Sequence, residues 1–222
     1  MYPIYLDSEF EGHDVDSFVK KMTEICGTHK KEGRALAFAF LIYDFKNPQI
    51  RKVLQDDIYW DALNEISGAT LTVFSSHYKA KKHKKIRKKY ENRGFEYMTA
   101  ISSFENPNSA SNKIAKKYFE ETKITFPSLL FFQVDDNKVI DSLLIELKEK
   151  TIEESALEIQ EYIQSAIDGI SKVTNENKKN YKEMFDLISQ NVSARETKNH
   201  IKRVSKDAGS VVGLVSSVVG LT

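Results

Sequence analysis

Few residues of this chain have the type and spacing that chemistry requires. Cysteine occurs once, at Cys26. A lone thiol acts as a nucleophile only beside a base that lowers its pKa. Cys26 falls within an apolar stripe, where a thiol packs as a small hydrophobe. It cannot form an internal disulfide, so nothing points to an oxidising compartment. The five histidines are His13, His29, His77, His83 and His200. No pair has the i, i+4 spacing or the cysteine partners of a zinc site, so no metal site is predicted. Asp135-Asp136 could suggest acid–base or metal work, but the following Asn137-Lys138 makes it the start of a hairpin turn. These patterns predict no catalytic residue, no cofactor and no small-molecule substrate.

The stronger signals are compositional. The chain has 222 residues, 41% hydrophobic and 29% charged, which excludes a fully disordered chain and a disulfide scaffold. Its net charge of +1 hides four blocks. Residues 1–78 carry a net −4, 79–93 a net +8, 94–171 a net −7 and 172–222 a net +4. The block 79–93 reads KAKKHKKIRKKYENR. Lys81, Lys82, Lys84, Lys85, Arg87, Lys88 and Lys89 would supply salt-dependent contacts to nucleic acid or an anionic membrane. Only Tyr90 is interleaved as an aromatic, so no stacking platform for bases is predicted. A solvated charged segment is the plainer alternative.

The second outlier is the end of the chain, Ala208–Thr222, fifteen residues without a charge. Gly209 and Gly213 form a G-x-x-x-G that permits close helix approach. Leu214, Val218 and Leu221 would extend the same contact. Fifteen residues fall short of the ~20 that span a bilayer. A helix packed on this protein, a second copy or a partner is the favoured reading. The alternative is an interfacial membrane segment, with Lys198, Lys202, Arg203 and Lys206 facing headgroups. The opening residues lack a basic and then apolar signal segment, so a cytoplasmic protein is expected, peripheral at a membrane if the tail binds lipid.

The elements that must position these residues alternate between strand and helix patterns. Ile4–Leu6 reads as a short strand. Val15 to about His29 is helical, with Val15, Phe18, Val19, Met22, Ile25 and Cys26 inward, Asp14 or Asp16 as cap, and Gly27 or Gly33 as stop. Ala35–Tyr43 is a run of nine apolar residues, read as a strand buried on both faces. Gln49–Ser67 is helical with a break near Asp56-Asp57, and Gly68 ends it. Ala69–Phe74 is a strand rich in β-branched residues. A further strand is expected within Phe95–Phe104 and a helix over Ser109–Thr122. Ser128–Val134 and Val139–Leu147 form a hairpin. Thr151-Ile152-Glu153-Glu154 fits a capping box, opening a helix with Ala156, Ile159, Ile163 and Ile167 toward the core, flanked by Leu157 and Tyr162. Residues 171–180 are linker-like, and Tyr181 to about Lys206 is helical, with Tyr181, Met184, Phe185, Ile188 and Val192 on one side.

This order, with the run Ile124-Thr125-Phe126-Pro127-Ser128-Leu129-Leu130-Phe131-Phe132, resembles the thioredoxin-like superfamily. The resemblance covers about residues 4–168. It implies an α/β mixed sheet flanked by helices, and a cis peptide bond before Pro127. It also implies a Cys-x-x-Cys at the start of the second helix, where the helix dipole and free N–H groups lower a thiol pKa. Here that place reads Asp44-Phe45-Lys46-Asn47-Pro48-Gln49, without cysteine. Two-cysteine exchange is therefore ruled out there.

The organisation expected is a thioredoxin-like domain over 1–170 with a basic insertion at 79–93, a linker at 171–180, and a helical C-terminal extension at 181–222. The expected function is a redox-inactive interaction or scaffold module, with the C-terminal helix docking a protein partner or a second copy. The alternative is nucleic-acid or anionic-membrane binding through 79–93.

Overall fold

The computed structural model describes residues 1–6, 15–43, 47–77, 98–100, 124–148, 150–174 and 176–198. The strands are β1 (Tyr2–Leu6), β2 (Ala37–Ile42), β3 (Leu71–His77), β4 (Met98–Ala100), β5 (Ser128–Asp135) and β6 (Lys138–Glu146). The helices are α1 (Val15–Lys31), α2 (Pro48–Gln55), α3 (Asp57–Ser67), α4 (Ile152–Ser171) and α5, helical over 181–198. The strands form one six-stranded mixed sheet in the order β4-β1-β3-β2-β5-β6. β4, β1, β3 and β2 run parallel; β5 is antiparallel to β2, and β6 to β5. The chain is thus an α/β fold. The helix expected over Ser109–Thr122 lies outside the described residues.

The central strand follows directly from its sequence. Every residue of β2 is buried, because β3 and β5 flank it and helices cover both faces. Alternate side chains divide between two cores, as a period of two requires. Ala37, Ala39, Leu41 and Tyr43 join the core built with α2, α3, α4 and α5, whereas Phe38, Phe40 and Ile42 join the one built with α1. On the α1 side, Phe38, Phe74 and Phe132 sit with ring centroids 5.8–6.4 Å apart.

The expected break in the helix over 49–67 occurs at Asp56, which ends α2 and caps α3. Its carboxylate accepts hydrogen bonds from the backbone N–H groups of Ile58 (2.8 Å) and Tyr59 (3.3 Å). Gly68, at φ 56°, closes α3. The β5–β6 turn places Asp136 and Asn137 at φ 45° and 59°, the left-handed pair that a two-residue hairpin demands. The register shifts between Gln133 and Val134, leaving Ile140 as the extra residue, 46% exposed. Thr151 Oγ1 accepts from the Glu154 N–H at 3.1 Å, so the expected cap forms.

In α4 the core stripe differs from the expected one. Tyr162 is fully buried with Ala156, Ile159, Ile163, Ala166 and Ile170, while Leu157 is 53% exposed and Ile167 half-buried. Gly169 lies inside α4 and is where α5 crosses it. A Cβ at that position would stand 2.8 Å from Leu187 O and 2.9 Å from Ile188 Cα. Met184, Phe185, Ile188 and Val192 of α5 are buried in the same core as α4. The first part of the C-terminal extension is thereby built into the body, following a 3₁₀ turn at Glu176–Lys179 within the segment read as a linker.

Candidate functional site

Parallel strands present their carboxyl ends at one edge of a sheet, where loops gather and ligands are commonly bound. Here β2 ends at Ile42, followed by Tyr43, β3 ends at His77, and α2 begins at Pro48, with Asn47 at the N-cap position but making no side-chain cap bond. Because β5 is antiparallel to β2, with Ile42 opposite Ser128, its start lies at the same edge. The Phe126–Pro127 bond is cis, and Pro127 is buried. Ser128 is buried too, and its hydroxyl donates to Thr125 O. Tyr43 is 3% exposed, and burial raises its hydroxyl pKa despite the Arg51 guanidinium, which lowers it. The edge therefore brings together Tyr43, the first turn of α2 and Pro127. The basic run begins two residues beyond β3. Lys81, Lys82, Lys84, Lys85, Arg87, Lys88 and Lys89 themselves lie outside the described residues, as do Asp44, Phe45 and Lys46.

Cys26 is nowhere near an exposed surface. It is 0% exposed in α1, packed in the core with Met22, Phe38 and Phe132. Burial raises its thiol pKa well above the ordinary value, more than the nearby Lys30 ammonium lowers it. A neutral, enclosed thiol is a poor nucleophile.

His29, in the last turn of α1, is 5% exposed, and its Nδ1 lies 2.9 Å from Thr72 Oγ1 on β3. The Tyr2 ring meets it edge-on with centroids 5.8 Å apart. Its pKa falls to about 4, chiefly through burial and next through the Arg34 guanidinium, with the Met1 amino group also lowering it and Glu32 raising it. The imidazole is therefore neutral at physiological pH. The backbone of His77 closes β3; His13, His83 and His200 lie outside the described residues. No cluster of metal-ligating side chains occurs among the described residues. Asp135 ends β5, paired with Lys138, and Asp136 is the first residue of the two-residue turn.

Lys30 was not singled out by the sequence, yet it joins three elements. Its ammonium donates to Val134 O at the end of β5 and stands 3.3 Å from the ring centroid of Tyr181, the first residue of α5. Burial lowers its pKa to about 8, against Asp135 and Cys26, which raise it. Nearby, Gln133 Nε2 donates to Leu36 O at 3.0 Å and lies 3.7 Å from Met184 Sδ. Farther along, Arg195 of α5 pairs with Glu161 of α4. No spacing rule foretells partners so distant in sequence. Gly209, Gly213, Leu214, Val218 and Leu221 lie outside the described residues. Among the described helices none is long and apolar enough to cross a membrane.

No protein-family model, no curated protein and no solved structure matches this chain.

Proposed function

We propose that this chain is a thioredoxin-like binding module without thiol chemistry, whose C-terminal extension docks a protein partner or a second copy. The likeness is supported by the core order β1-β3-β2-β5-β6, with the last two strands antiparallel and Pro127 at the entry to β5. The observation that carries the non-catalytic part is the complete burial of Cys26, the chain's one cysteine, together with Asn47-Pro48 at the start of α2. An exchange reaction needs a thiolate that can reach a disulfide. Neither location offers one.

Docking is assigned to the residues beyond α5, because the apolar face of α5 already lies in the body's own core. Fifteen uncharged residues left facing water would be an aggregation hazard, so they need a cover. The test of the non-catalytic part is disulfide reduction by the full chain beside Cys26→Ser. The two should be equally inactive; a Cys26-dependent rate would sink the proposal. Size-exclusion with light scattering, on the full chain and on residues 1–206, tests the second-copy form of docking. Identical monomers would exclude it.

A further inference from the structure

At the end of the sheet opposite Pro127, the starts of β1 and β3 and the last turns of α1 and α3 enclose a cavity of about 390 Å³. That volume falls in the ~300–1,000 Å³ range of small-molecule sites. Its buried lining is Tyr2, Leu71, Thr72, the neutral His29 imidazole and Met1, whose ammonium donates to Asn64 Oδ1 at 2.8 Å and Ser67 Oγ at 3.2 Å. Its half-buried lining is polar and includes Arg34 and Asn64. Glu65 also lines it, exposed. The charged groups that act on His29 are Arg34, Glu32 and the Met1 amino group, two cations to one anion. The environment is thus a largely apolar floor, with the Arg34 guanidinium and the Met1 ammonium as its cations and Glu65 as an exposed anion.

We propose that this cavity binds a small organic carboxylate, its apolar part against Tyr2 and Leu71 and its carboxylate on the Arg34 guanidinium. The guanidinium presents a planar fork of N–H donors that matches a carboxylate with two parallel hydrogen bonds. Arg34 now pairs with Glu32, but both side chains are partly open to water, 33% and 51% exposed. Such exposed pairs contribute little, so exchanging Glu32 for a ligand carboxylate costs little. The neutral His29 imidazole, bonded to Thr72, adds no charge to the floor. The site lies at the opposite end from the strand edge described above and does not depend on how partners are docked.

The experiment is a titration of the full chain with benzoate, followed by backbone amide shifts. Benzyl alcohol, with the same ring and no charge, is the control. Benzoate should give saturable shifts at residues 29, 34, 64 and 72, and the His29 pKa should rise as the bound anion offsets the neighbouring cations. Arg34→Gln should weaken benzoate about tenfold and leave benzyl alcohol unchanged. Ala69→Phe, which adds bulk on the exposed lining, should block both ligands without altering charge. Absence of saturable shifts at those residues would overturn the proposal. So would benzoate binding that is equal in Arg34→Gln, or unaffected by Ala69→Phe.

Discussion

Lowering the pH from 8 to 5 should remove about 2 kcal/mol of stability through His29 alone. His29 has a folded pKa of about 4 against an ordinary 6.5. The unfolded chain therefore binds a proton that the folded chain refuses, and stability falls as pH drops through 6.5 toward 4. The full difference approaches about 3 kcal/mol below pH 4, by the usual 1.36 kcal/mol per pKa unit. The structural origin is clear: a 5%-exposed ring, bonded to Thr72 and edged by Tyr2, with Arg34 close by. His29→Gln keeps a hydrogen-bonding group but cannot titrate. Thermal and urea unfolding of both proteins at pH 8, 6 and 5 is the assay, and the difference between them cancels every other histidine. The wild type should lose roughly 4–8 °C more than the variant between pH 8 and 5. Parallel pH dependences would refute the burial argument for His29.

Other outcomes follow from the packing. Gly169→Ala should destabilise the protein by about 1–3 kcal/mol, because its Cβ would collide with the backbone of α5; denaturant unfolding would show it. Thr151→Ala should cost about 1 kcal/mol by removing the cap on the Glu154 N–H, and Thr151→Ser should restore most of it. Phe132→Ala should cost about 3–5 kcal/mol, since the ring is fully buried against Phe38 and Phe74. For Lys30, whose pKa is lowered to about 8, stability should rise as pH climbs from 8 toward 10.5, and Lys30→Met should flatten that rise in unfolding curves.

Much of the fold was legible because several local signals are decisive on their own. An unbroken apolar run such as Ala35–Tyr43 has no place but a central strand. Asp56-Asp57 within a helical pattern marks a break, although the capping role of Asp56 emerged only in the structure, and Asp-Asp-Asn-Lys between apolar strands is a turn. The α4 stripe was less legible because apolar residues surround that helix. Leu157 and Tyr162 were both eligible, and packing against the other elements of the core takes Tyr162 and leaves Leu157 exposed. Contacts across the sequence were not legible at all. His29 with Thr72, Lys30 with Tyr181, and Gly169 with Ile188 each depend on which elements the sheet brings together. The partly buried lysine and the α1–α3 cavity arise in the same way.

The central claim, a binding module that holds its partner through the end of the chain, is tested most directly by affinity capture from the native cell. The full chain is compared with residues 1–206, each washed at low and high salt. A protein that survives high salt on the full chain and is lost from 1–206 is the predicted result. Identical partners on both would contradict the claim. Nucleic acid or lipid recovered only at low salt, with or without the tail, would also contradict it and would assign binding to residues 79–93.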